Sequence, residues 1–222
     1  MPRKRLQKQP HLKSKVRVLT SKTENQKTYI QGIIENDIIF CSGPAGSGKS
    51  YISAGMGSQL LYNGVIEKVI ISRPLVCTGR DIGSLPGELQ EKISPYLVPM
   101  RENLKHFLGP VNYNEYYQNG QIVFEPLEMM RGMTFDNTYM ILDEAQNCTY
   151  EQIKMFITRM GKNSKVLING DIYQTDLNRG RSGLKDCMEK LRNIDGISVC
   201  ALTHDDIQRN DLISIVLRAL ET

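Results

Sequence analysis

A chain of 222 residues, 40% hydrophobic and 23% charged, has room for one sizeable α/β domain with appendages and not for two full nucleotide-binding lobes. No apolar run reaches the roughly 18 residues of a membrane span and MPRKRLQKQP lacks the apolar stretch of a signal peptide, so no membrane partner and a cytoplasmic location are expected. The net charge of +4 is uneven: residues 1–17 hold Arg3, Lys4, Arg5, Lys8, Lys13, Lys15 and Arg17, while all 24 acidic residues lie beyond them.

In chain order, residues 1–22 read as a basic, flexible arm, suited either to neutralising nucleic-acid phosphates or to simple solvation. Residues 23–222 read as a single domain. DIIFCS (37–42) is a short apolar strand, followed by the glycine turn GPAGSGKS (43–50) and a helix from about Ser50 to Leu61. EKVIISR (67–73) is the next strand. Segment 74–120 interrupts the rhythm, and its prolines at 74, 86, 95, 99 and 110 predict a loop and one or two helices inserted at the sheet rim. Tyr113, Tyr116 and Tyr117 there either stack on bases or, more in keeping with such clusters, pack. Strands follow at 121–126, 138–144, 164–170 and 196–202, separated by helical stretches at 150–160, 182–193 and 211–220. Apolar, unalternating strands interleaved with helices predict an α/β fold, a parallel sheet covered on both faces. The five cysteines show neither CxxC nor His-paired spacing, which fits reduced, buried thiols better than zinc or disulfides.

The stretch Gly43, Pro44, Ala45, Gly46, Ser47, Gly48, Lys49, Ser50 meets the P-loop pattern at every fixed position. Glycines let backbone N–H groups turn onto phosphate, Lys49 reaches the β- and γ-phosphates, and the Ser50 hydroxyl ligates Mg²⁺. Tyr51, which opens the helix beside it, is expected to bind the nucleotide as well. YMILDEAQN (139–147) delivers Asp143, expected to hold Mg²⁺ through water, and Glu144, expected to polarise the attacking water, unless it is a surface acid. GDIYQTDL (170–177) brings Asp171 and Gln174 to the same carboxyl edge of the sheet, where Gln174 is suited to feel the γ-phosphate. Upstream, Gln26 either reads the adenine edge with its amide or lies on a helix surface. Arg209, with Arg179 and Arg181 as rivals, is the candidate cation for the γ-phosphate; ordinary surface pairing is the alternative.

The order GPAGSGKS, SRP with IGSLPGELQEKISPYLVPM, RGMTFDNTYMILDEAQN, MFITRMGKNSKVLINGDIYQTDL, SGL and DDIQRNDL resembles the PhoH-like family of P-loop ATPases over about residues 23–220. The resemblance implies a RecA-like P-loop NTPase core similar to the N-terminal lobe of superfamily 1 helicases, acting on or near RNA. It implies nucleotide-site roles for Gly43 to Ser50, Asp143, Glu144, Gln146, Asp171, Gln174 and Arg209. Arg73 in SRP looks like the helicase position that touches the nucleic-acid backbone, with pairing inside the lobe as the alternative. Met133 replaces a cation usual in the family, Gly83 and Ser84 stand where an aromatic is common, and Asn178 where proline is usual. No RNase domain of the PIN type accompanies these motifs, so RNA cleavage is not expected.

The expected function is Mg²⁺-dependent ATP hydrolysis coupled to RNA or single-stranded nucleic acid, with RNA helicase activity within reach. Because one lobe carries a complete hydrolytic set, a homo-oligomer is expected, up to a hexameric ring, with an Arg supplied in trans. The absence of a guanine-reading NKxD favours ATP. The alternative is a nucleotide-dependent switch or scaffold that docks a partner through 74–120 and hydrolyses slowly. A small-molecule kinase is disfavoured by DEAQ.

Overall fold

The computed structural model describes residues 15–74, 89–174 and 182–208. Six strands form one sheet: β1 (Ile38–Ser42), β2 (Lys68–Ser72), β3 (Ile122–Phe124), β4 (Thr138–Leu142), β5 (Lys165–Gly170) and β6 (Ile197–Ala201). Their order is β3-β2-β4-β5-β1-β6, and every pairing is parallel. The expected α/β architecture, a parallel sheet with helices on both faces, is therefore present.

Side chains that alternate along each strand divide the core in two. Ile39, Cys41, Val69, Ile71, Tyr139 and Ile141 face a cluster built with α1 (Glu24–Glu35), α2 (Lys49–Tyr62) and α3 (Leu89–Gln118). Phe40, Ile70, Met140, Leu142, Val166 and Ile168 face the other cluster, built with α4 (Tyr150–Ile157) and α5 (Leu184–Leu191). Burial on both faces is why the strands read as continuous apolar runs. One run of polar groups inside is paired: Tyr29 donates to Asn169 Oδ1 at 2.6 Å, and Asn169 Nδ2 donates to Ser53 Oγ at 3.1 Å, tying α1, β5 and α2 together.

The helix starts are written in side chains. Thr23 caps α1 by accepting from Gln26 N, and Thr149 with Gln152 closes a capping box on α4. The inserted segment forms α3, interrupted at Gly109, where φ is 76°. Only glycine takes that backbone conformation cheaply, and Pro110 restarts the helix where its missing N–H has no partner to lose. As expected, the segment is not one continuous helix, yet helix runs through Pro95 and Pro99. Burial of Met100, Leu104 and Leu108 against the first cluster offsets the lost hydrogen bonds.

The described residues 15–22 belong to the basic arm expected over residues 1–22. Val16 and Leu19 pack against the core, and Arg17 N donates to Phe107 O at 2.9 Å. Tyr113 and Tyr116 are buried and Tyr117 is stacked on Tyr113, so this cluster packs. Cys41, Cys148, Cys187 and Cys200 are free and buried, and burial pushes the Cys148 thiol up to about 12. Among the described residues no helix is long and apolar enough to cross a membrane. The stretch 75–88, Arg179, Arg181, Arg209 and the helix expected at 211–220 lie outside the described residues.

Candidate nucleotide site

The carboxyl ends of β1, β4 and β5 and the first turn of α2 open onto one cleft of about 600 Å³, the place where open parallel sheets bind ligands. Its floor is the loop after β1. Gly48 sits at φ 101° and caps α2, a left-handed geometry that keeps the loop backbone turned toward the helix start. Ala45, Gly46, Gly48, Lys49 and Ser50 line the cleft. Lys49 Nζ folds back to donate to Gly43 O at 2.5 Å and Pro44 O at 2.9 Å. The ammonium therefore holds carbonyl oxygens in the position where phosphate oxygens would compete for it. Ser47 braces the loop from within, donating to Pro44 O at 2.8 Å.

Ser50 Oγ donates to Asp143 Oδ1 at 2.9 Å, joining the start of α2 to the end of β4. Asp143 is buried, and its pKa is raised to about 6. Burial is the main cause and the neighbouring Glu144 charge adds to it, while Arg73, the Ser50 hydrogen bond and Lys49 oppose both. A hydroxyl and a destabilised carboxylate side by side fit a hard divalent cation such as Mg²⁺, which takes one or two protein oxygens and completes its shell with phosphate and water. Among the described residues there is no cluster of three His, Cys, Asp or Glu side chains of the kind an all-protein metal cage needs.

Glu144 follows Asp143 with φ 58° and ψ 39°, a left-handed conformation that costs a non-glycine residue about 1–2 kcal/mol. The turn places both adjacent carboxylates on the cleft wall, since Asp143 and Glu144 line it together. Both Glu144 oxygens are engaged. Arg73 Nη2 lies 3.2 Å from Oε1, and Gln146 Nε2 donates to Oε2 at 2.5 Å. Gln146 Oε1 in turn accepts from Asp171 N at 3.1 Å, so residues from the ends of β2, β4 and β5 form one connected rim.

Asp171 is buried, and its Oδ1 accepts from Tyr173 N at 3.0 Å in a tight turn. That turn carries Gln174 into solvent, and Gln174 is not among the residues lining the cleft. Gln26 is buried rather than on a helix surface. Its Oε1 accepts from Lys22 N at 2.9 Å and its Nε2 donates to Ser47 O at 3.0 Å, so it stitches the N-terminal segment to the phosphate loop while lining the cleft. Tyr51 also lines the cleft, its ring tilted on Phe107 at 4.7 Å. Thr20, Lys22, Asn103 and Gln208 complete the wall. None of these four carries a local sequence signal for nucleotide contact; they arrive through packing of the N-terminal segment, α3 and the chain after β6.

Comparison with known proteins gives the family and the fold. Residues 18–221 match the family model described as PhoH-like protein. The chain is 43% identical over 201 residues to a PhoH-like protein of Bacillus subtilis, covering 90% of this chain and 63% of that protein. It is 37% identical over 205 residues to Protein PhoH of Escherichia coli K12, covering 90% and 58%. The chain thus spans about three-fifths of the length of these relatives. Among solved structures, the large terminase of bacteriophage HK97 superposes with a TM-score of 0.50 at 15% identity, over 82% of this chain and 39% of that one, a likeness of fold alone.

Proposed function

The chain belongs to the PhoH-like protein family and has the fold of a P-loop NTPase, and on that premise we propose that it hydrolyses ATP with Mg²⁺ and couples turnover to RNA or single-stranded nucleic acid. The observation that carries the reading is the placement of the Glu144 carboxylate on the wall of the cleft that Lys49, Ser50 and Asp143 also line. Lys49 exchanges the carbonyls of Gly43 and Pro44 for β- and γ-phosphate oxygens. Ser50 and Asp143 hold Mg²⁺, which when bound neutralises charge on those phosphates. Glu144 orients the attacking water and takes its proton. Gln174 reaches the γ-phosphate only if the turn after β5 moves, which would link the nucleotide state to conformation.

Among the described residues no arginine lines the cleft. This supports an arginine delivered by Arg209, or by its rivals Arg179 and Arg181, from the same chain or from a second copy in a homo-oligomer such as a hexameric ring. Arg73, at the sheet rim, is the residue we assign to nucleic-acid phosphates. ATP turnover per subunit, with and without single-stranded RNA, over a dilution series in which the mass is followed, tests both parts. A rate indifferent to RNA and to dilution, in a chain monomeric throughout, would overturn coupling and assembly.

A second reading draws on the engagement of both Glu144 oxygens by Arg73 and Gln146. Held so, the carboxylate is oriented by its two partners, and turning onto a water competes with both bonds. A nucleotide-dependent switch or scaffold would then bind ATP tightly and turn it over slowly whether or not RNA is present, an outcome that the same assay separates from the first.

A further inference from the structure

The phosphate loop and the Ser50–Asp143 pair account for the triphosphate end of the cleft, but the cleft extends well beyond them to Thr20, Tyr51 and Asn103. A second, shallower opening of about 480 Å³ continues from there, and Tyr51 and Asn103 line both. Here the cleft has room for the sugar and base of a nucleoside triphosphate seated on the loop. Gln26, the amide expected to read the base, already has its oxygen on Lys22 N and its nitrogen on Ser47 O. Its nitrogen also lies 3.5 Å from Asp206 O, so both of its N–H donors are engaged and the donor half of an adenine pairing falls to another group.

Two side chains supply what a base needs. Tyr51 is braced by Phe107 at 4.7 Å and by His106 at 5.7 Å, and its hydroxyl is 3.3 Å from His106 Nε2, yet 39% of the residue remains exposed. Its ring is thus fixed in orientation with surface to spare. Asn103 is partly buried, and its amide has no hydrogen-bond partner among the described residues. The helix that carries it is rigidly set: Leu104, Phe107 and Leu108 are buried, and α3 lies so close to α2 that a Cβ on Gly55 would come within 2.8 Å of the Phe107 ring. A partnerless amide on a fixed helix beside a fixed aromatic ring is the donor–acceptor pair and platform that adenine presents edges and faces to.

The geometry points to Tyr51 and Asn103 as the base-recognition site: Tyr51 stacks on the purine, and the Asn103 amide pairs with the adenine amino group and its neighbouring ring nitrogen. This rests on the proposed nucleotide site and adds that the inserted helix α3, not Gln26, sets base preference. The site takes adenine nucleotides ahead of nucleotides that lack the exocyclic amine.

Equilibrium binding of ADP, purine riboside diphosphate and inorganic tripolyphosphate to the full chain tests it, with Lys49→Ala, Asn103→Ala, Asn103→Asp and Tyr51→Leu as variants. The wild type is expected to favour ADP over purine riboside diphosphate. Both Asn103 variants should weaken ADP about threefold to tenfold, the worth of a neutral hydrogen bond or two, weaken the analogue, which keeps only the ring nitrogen, by less, and leave tripolyphosphate unchanged. Tyr51→Leu should weaken both nucleosides alike and spare tripolyphosphate, which also certifies that the variants are folded. Equal binding of ADP and the analogue by the wild type, or unchanged discrimination in Asn103→Ala, overturns the assignment. If Lys49→Ala binds every ligand as the wild type does, the phosphate loop reading itself fails, a result distinct from either.

Discussion

Arg73 Nη2 lies 3.2 Å from Glu144 Oε1, so the cation that follows β2 grips the carboxylate that follows β4. The pair is partly exposed, with side-chain accessibilities of 23% and 37%, and so contributes little to stability. Its interest is positional. Glu144 is the only carboxylate besides Asp143 among the described residues lining the cleft, and its orientation is set by Arg73 on one oxygen and Gln146 on the other.

Glu144→Gln keeps the shape and an acceptor for Arg73 but removes the proposed base. Nucleotide affinity is expected to stay within a factor of about two to three, while turnover falls by about a hundredfold or more, as loss of a general base does. Steady-state ATPase rates beside calorimetric ADP binding check it; retained turnover would take the role away from Glu144.

Lys49→Ala acts on the other end of the site. In the free chain the ammonium only satisfies the Gly43 and Pro44 carbonyls, which water can replace. In complex it meets charged phosphate oxygens, and such bonds are worth about 1.5–3 kcal/mol. The variant should fold with near-normal denaturant stability, bind ADP about tenfold to a hundredfold more weakly, and lose the thermal shift expected of the wild type with nucleotide.

Asp206 couples the start of α1 to the chain after β6. Its carboxylate accepts from Thr203 N at 2.6 Å, from Asn25 Nδ2 at 3.0 Å, from Thr203 Oγ1 at 3.2 Å and from Thr23 Oγ1. Burial alone would raise its pKa, but the bonds from Thr203, Thr23 and Asn25 outweigh it and the net shift is downward. A depressed folded pKa means the stabilisation is complete above the unfolded value of about 3.9 and is lost as pH falls through the folded one. Asp206→Ala should therefore cost about 1–3 kcal/mol near neutrality, and the gap to the wild type should narrow below about pH 4. Urea unfolding at pH 7 and at pH 3 measures it; a gap independent of pH would contradict the charge-based account.

The sheet was legible because each strand is buried on both faces: DIIFCS, KVIIS and TYMIL show apolar runs that need no partner to be recognised. The phosphate loop was legible because backbone geometry demands Gly48 and chemistry demands Lys49 and Ser50. Other features depend on contacts remote in sequence. The prolines at 95 and 99 gave no way to place the helix boundaries, because packing on α2 carries the helix through both and the break falls at Gly109. Gln26 read as a free amide until Lys22 N and Ser47 O, brought in by folding, took both ends. Gln174 shares a sheet edge with Asp143, yet the Asp171–Tyr173 turn carries it into solvent. Asn103 shows in the sequence only as one polar residue on an amphipathic helix.

The basic arm is divided by the structure in a way that sharpens its test. Val16 and Leu19 pack on the core and Arg17 N bonds to Phe107 O, so deletion through residue 17 would disturb α3 and the cleft wall at Thr20 as well as remove charge. Deletion of residues 1–14 removes Arg3, Lys4, Arg5, Lys8 and Lys13 and leaves those contacts in place. If these cations meet nucleic-acid phosphates, the slope of log affinity for single-stranded RNA against log salt should fall by about 0.7 for each one engaged, with ADP affinity unchanged. Binding titrations at several salt concentrations read the slope directly. A slope that stays the same makes the first 14 residues bystanders and moves the search for phosphate contacts to Arg73 at the sheet rim.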